Sequence, residues 1–121
     1  MKPFEKKRIA LDFDDTFTLD PTRWSQFVNI FGGDSQWWEV KFVTFRYEGG
    51  PNDDILLWAD KLGIDIIYCD GVQKAQVCAE KHWIPDVWID DMPVLIPMKQ
   101  QLQGMILGIE NNEEKRDGKT S

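Results

Sequence analysis

The sequence predicts a single α/β domain built on a mainly parallel sheet, and three observations carry that expectation. Short apolar runs alternate with amphipathic helical segments, and glycine or proline punctuates the joins. Two of the apolar runs also end directly on carboxylates, as parallel strands do when their carboxyl ends feed a site. At 121 residues the chain has the size of one ordinary domain.

Taken in order, Ile9 to Asp12 is the first predicted strand, an apolar run closing on an acid. Asp20 then offers an N-cap and Pro21 a first helical position, followed by Trp24, Phe27, Val28 and Phe31 at helical spacing; Gly32 and Gly33 stop that helix. Val40, Phe42 and Val43 mark a second strand ending near Thr44. After Gly49, Gly50 and Pro51, Asn52 opens a helix whose apolar face is Ile55, Trp58, Ala59 and Leu62, with Gly63 as its C-terminal cap. Ile64 to Tyr68 follows as a third strand, and a helix with Ala75, Cys78 and Ala79 on one side follows Gly71. Val87 to Ile89 is a fourth strand ending on Asp90 and Asp91, and Met105 to Ile109 a last one. Residues 1–109 form the expected domain. From Glu110 to Ser121 no apolar residue occurs, so that segment is expected to be a disordered charged tail.

Composition narrows the function classes. A hydrophobic fraction of 42% with six tryptophans argues for a packed core, and no apolar run approaches the ~18 residues of a membrane span. The basic start MKPFEKKRIA lacks the apolar stretch of a secretion signal. Cys69 and Cys78 form neither a CxxC pair nor a ligand set with the lone His82, so reduced thiols in a cytoplasm are expected. A net charge of −7 opposes generic binding to nucleic acid. A small phosphorylated substrate fits better, because carboxylates that capture a divalent cation present positive charge locally. Trp24, Trp58 and Trp88 read as core residues. Trp37 and Trp38, in a loop-like stretch, are candidates for surface contact with substrate or with a second copy in a homo-oligomer.

Phosphoryl transfer needs a nucleophile, a proton donor for the leaving group, and positive charge over the phosphoryl oxygens. In DFDDT, Asp12 and Asp14 lie two apart just past a strand, where a sharp turn directs both towards one bound group. Asp12 is the expected nucleophile and Asp14 the proton donor. Asp90 would complete an all-oxygen site with Asp12, suited to Mg²⁺. Lys74 would offset the crowded negative charge, with Lys81 as its rival. A solvated acidic turn is the bland alternative, but three carboxylates within five residues beside a core strand are unfavourable without a counterion.

These residues resemble the haloacid dehalogenase (HAD) superfamily. DFDDT fits its DxDxT motif, with Asp12 and Asp14 in the nucleophile and acid/base positions. Thr44 in VTFR resembles the second motif, a hydroxyl that hydrogen-bonds the phosphoryl group; Lys74 resembles the third, and Asp90 and Asp91 in WIDD the acidic fourth. The resemblance spans about residues 8 to 93 and is nearest to small HAD-like proteins of phages and bacteria, which implies a cytoplasm, the host's if phage-encoded. It implies a Rossmann-like three-layer domain, and the short intervals between motifs leave no room for a cap domain. It further implies Mg²⁺ held by Asp12, the backbone carbonyl of Asp14, and Asp90 or Asp91. Thr16, the motif's threonine, and Arg46, two residues after Thr44, are the candidate substrate-binding groups, although Arg46 also reads as an ordinary exposed loop arginine. The implied activity is hydrolysis of phosphate monoesters, on a nucleotide or other small metabolite, through an aspartyl phosphate. The alternative is a catalytically silent HAD-like module that holds a phosphorylated ligand or partner protein. A phosphoacceptor receiver domain fits less well, since its acceptor belongs on the third strand, where only Cys69-Asp70 stands.

Overall fold

The computed structural model of the chain describes residues 5–96. Four strands, β1 (Lys7–Leu11), β2 (Trp38–Thr44), β3 (Ile66–Tyr68) and β4 (Val87–Ile89), form one sheet in the order β3-β2-β1-β4. Every neighbouring pair is parallel, with Ile9 opposite both Val40 and Val87, and Leu11 opposite both Phe42 and Ile89. Three helices, α1 (Pro21–Phe31), α2 (Asp53–Leu62) and α3 (Lys74–Glu80), alternate with the strands. The central strand β1 is paired on both edges and buried on both faces, which is why its inner residues are uniformly apolar.

The strand order determines where the helices go. From β1 to β2 to β3 the chain steps one way across the sheet, then returns past β1 to place β4 on the far side. Crossovers between parallel strands are right-handed, so reversing the direction of travel reverses the covered face. Accordingly Ile9, Leu11, Val40 and Phe42 pack with Val28 of α1 and with Ile55 and Ala59 of α2. Ala10, Val43 and Ile67, which point the other way, pack with Val77 and Cys78 of α3 and with Trp83. The reversal falls between β1 and β4, and at such a switch point the chain leaves the two strands in different directions and opens a crevice at their carboxyl ends.

Local signals explain most boundaries. The Asp20 carboxylate accepts a 3.2 Å hydrogen bond from the Arg23 N–H, capping α1 one residue before Pro21. Gly63 ends α2 at φ 68°, a left-handed conformation. That cap draws in Ile64, whose N–H donates to the Ala59 carbonyl, so the third strand begins at Ile66 rather than at the expected Ile64. Trp38 is not in a loop: it opens β2 and meets Phe31 edge-on at 5.5 Å between ring centroids. Trp37 beside it is about half exposed. The strand expected at Met105 to Ile109 and the tail from residue 110 lie outside the described residues. Among the described residues no helix is long and apolar enough to cross a membrane.

Candidate functional site

Asp12 is the first residue past β1, and its N–H still donates to the Ile89 carbonyl at 2.9 Å, continuing the sheet pairing to the strand ends. Asp90 and Asp91 follow β4 immediately, so both acidic segments emerge side by side. The chain after Asp12 turns sharply. The Thr16 and Thr18 N–H groups both donate to the Phe13 carbonyl, Asp15 takes a φ of 60°, and the Asp15 N–H is held by the Thr18 hydroxyl at 2.9 Å. Phe13 and Phe17 anchor this turn in the core, each at 5.1 Å from the Phe42 ring in edge contact. Alternation past the strand thus sends the phenylalanine inward, with Asp12 and Asp14 lining a cleft of about 110 Å³.

In that cleft Asp12 is buried and uses both oxygens. Its Oδ1 accepts from Lys74 Nζ at 2.8 Å and its Oδ2 from the Thr16 hydroxyl at 3.1 Å. Lys74 is 1% exposed and also bonds the Asp90 carboxylate, whose other oxygen accepts the Met92 N–H at 2.8 Å. Asp91, on the exposed side, accepts from Thr16 at 3.4 Å. Carboxylate oxygens of Asp12, Asp90 and Asp91 all lie within 4.8 Å of one another. Lys74 is therefore the lysine beside the acids, while Lys81 is exposed at the far end of α3.

One ammonium, bonded to two carboxylates, stands among three, and the protonation behaviour follows from that. Burial is the main force pushing the Asp12 carboxyl up to about 7; Lys74 opposes it, while Asp91 and Asp90 add to it. Burial alone would lower Lys74, but its bonds to Asp12 and Asp90 outweigh it and hold the ammonium above its ordinary range. The site as it stands carries surplus negative charge, and its donor set is oxygen only.

Thr44 ends β2 and is 1% exposed, yet its hydroxyl accepts the Arg46 N–H at 3.3 Å, an internal turn bond rather than a contact with Asp12. Arg46 is placed differently from a free substrate-binding arginine. Its Nε and Nη2 grip Asp14 at 2.9 and 2.7 Å, and its Nη1 and Nη2 grip Asp54 at 2.7 and 3.0 Å. Nη1 also reaches the Asn52 side-chain oxygen at 3.4 Å and the Pro51 carbonyl at 3.5 Å, so all five guanidinium donors have acceptors. The guanidinium carbon lies 5.2 Å from the Phe13 ring centroid. Beyond Arg46 a second depression of about 360 Å³ is bordered by Tyr47, Pro51 and Asn52.

Asp54 and Asn52 are the members that sequence reasoning missed. Asp54 lies in the first turn of α2, where an acid is already accounted for by the helix dipole. Asn52 opens that helix as expected, but its side chain makes no cap bond; its amide instead donates to the Tyr47 and Glu48 carbonyls at 2.8 and 3.1 Å. No protein-family model, curated protein or solved structure matches the chain.

Proposed function

We propose that the protein is a Mg²⁺-dependent phosphohydrolase that cleaves small phosphate monoesters, nucleotides among them, through an aspartyl phosphate on Asp12. The observation that carries this reading is the buried Asp12–Lys74 pair, with Asp90 and Asp91 beside it, at the switch point of a parallel sheet. We read the architecture as a Rossmann-like three-layer domain without a cap, supported by α1 and α2 on one sheet face, α3 on the other, and a single 3-10 turn besides α1 between β1 and β2.

Three clustered carboxylates with no sulfur or imidazole among them suit a hard cation. Asp12, Asp90 and Asp91 would hold Mg²⁺, which would supply positive charge over the phosphoryl oxygens. The remaining work falls to the chain's own groups. Lys74 and Thr16 fix the Asp12 carboxylate by one bond to each oxygen, so its direction of attack is set before substrate arrives. An Asp12 oxygen forms a bond to phosphorus as the ester P–O bond breaks, and Asp14 gives its proton to the departing oxygen. Asp14 then takes a proton from water as that water attacks phosphorus, releasing phosphate and restoring Asp12. The cleft would take the phosphoryl end, and the depression bordered by Tyr47 and Pro51 has room for the rest of a small substrate.

The test is hydrolysis of p-nitrophenyl phosphate with Mg²⁺. Wild-type protein is expected to turn over and Asp12→Asn to be inactive while folded. A folded Asp12→Asn retaining wild-type rates would exclude the covalent route. One observation favours the second reading, a silent phosphate-holding module: Asp14 is gripped by Arg46 at rest. That reading predicts tight binding of a phosphate ester by wild type with no turnover.

A further inference from the structure

We infer that Asp54 is a positioning residue that aims Asp14 at the leaving group by holding Arg46 between the two carboxylates. This role rests on the phosphohydrolase reading and extends it to a residue outside the cleft. The geometry is a relay of two forks on one guanidinium. Arg46 Nη2 donates to Asp14 and to Asp54 at once, while Nε completes the fork on Asp14 and Nη1 the fork on Asp54. A bidentate fork fixes a carboxylate's plane as well as its distance, which a single-point lysine cannot do.

The parts on either side of the relay are themselves held. The Arg46 carbonyl accepts the Asp70 N–H at 3.0 Å, and the Asn52 amide ties the 47–48 carbonyls to the start of α2, so Arg46 and Asp54 are fixed relative to each other. Phe13, the residue before Asp14, carries the guanidinium on its ring. Asp14 is different: its side chain is 48% exposed, and Arg46 and Asp54 supply its described side-chain constraint only through this fork. The direction of that carboxyl is therefore set by the fork. Exposed ion pairs contribute little to stability, which makes direction the larger consequence of the relay.

Leaving-group dependence reads direction without reading stability. p-Nitrophenolate departs without a proton, whereas phenolate needs one, and the two esters differ little in size. kcat/KM reports steps up to phosphoryl transfer to Asp12. Asp54→Asn is expected to lower kcat/KM about 10-fold for phenyl phosphate and less than about 2-fold for p-nitrophenyl phosphate. Arg46→Lys, which keeps the charge and loses the fork, should show the same selectivity. In an Asp14→Asn background, Asp54→Asn should have no further effect. An equal penalty on both esters in an active enzyme, or effects that simply multiply in the double variant, would overturn the positioning role and leave the phosphohydrolase standing. A folded wild type that hydrolyses neither ester with Mg²⁺ would remove both.

Discussion

Lys74 concentrates the electrostatics of the site on a single side chain. It is fully enclosed and bonded to two carboxylates, so replacing it leaves buried negative charge with no partner. Removing one member of such a pair costs roughly 3–5 kcal/mol. Lys74→Ala is expected to lower the unfolding free energy by that order at pH 7 in chelator, and to recover part of the loss at pH 5, where the Asp12 carboxyl is protonated. A deficit that is unchanged by pH would show that Lys74 acts through packing alone. Asp12 supplies a second pH effect whose sign is opposite to that of an ordinary salt-bridged acid. Its folded pKa of about 7 lies above the ordinary 3.8, so the folded state holds the proton more tightly than the unfolded state. The resulting stability is present in full below about 3.8 and lost as pH rises through about 7. In chelator, the stability of wild type relative to Asp12→Asn should therefore increase as pH falls from 7 to 4. A difference that moves the other way would mean that Lys74 overcompensates burial. Asp54 has the usual sign: Arg46 holds its carboxyl below the ordinary range, so any contribution is lost on acidification.

Elements were legible where one residue type has one local use. Asp20 and Pro21 together mark the start of α1, and the acids that follow Val87 to Ile89 mark the end of β4. Boundaries shifted where the chain bends between elements, as at Ile64, which serves the α2 cap before it can join the sheet. Trp38 was misplaced because a tryptophan pair after Asp34, Ser35 and Gln36 has no strand alternation of its own; the register with Lys7 puts it in β2. DFDDT, Lys74 and the Asp90-Asp91 pair could be found because their spacing carries chemistry. The Asp14–Arg46–Asp54 relay could not, since it depends on how β2 and α2 pack around the turn after β1. The loop between β3 and α3 has a similar tertiary dependence. Gly71 sits at φ 77°, and an added Cβ would come 2.8 Å from the Tyr47 hydroxyl. Gly71→Ala should cost about 1–2 kcal/mol through backbone strain alone. Tyr47→Phe/Gly71→Ala would relieve the close approach but not the strain; full recovery in that double variant would show that the contact, not φ, was the cause.

Across the whole molecule, the two sheet faces are packed with different materials. The rings on the side under α1 and α2 pack on one another in edge, stacked and tilted contacts, whereas the side under α3 combines the small residues Ala10, Cys69 and Cys78 with Val43, Ile67, Val77 and the rings of Trp83 and Trp88. Burial pushes the Cys69 thiol up to about 12 and the Cys78 thiol up to about 11, so neither forms an appreciable thiolate at neutral pH. Both should resist a maleimide in the native protein and label only at the rate of opening. Labelling that is fast in native buffer and insensitive to stabilising salt would mean that α3 detaches independently of the sheet.

The strand order also has a temporal meaning. β1 and β4 lie edge to edge, yet Ile9 and Val87 are separated by the whole of α1, β2, α2, β3 and α3. A chain emerging from the ribosome can zip β1, β2 and β3 from neighbouring segments, but the half of the cleft that carries Asp90 arrives last and must close the longest loop. Until it does, Asp12 and Lys74 have no Asp90 or Asp91 beside them. With Mg²⁺ held there as proposed, cation binding would report the final docking event, and in a stopped-flow refolding trace it should rise with the slowest phase rather than with the burst of tryptophan burial.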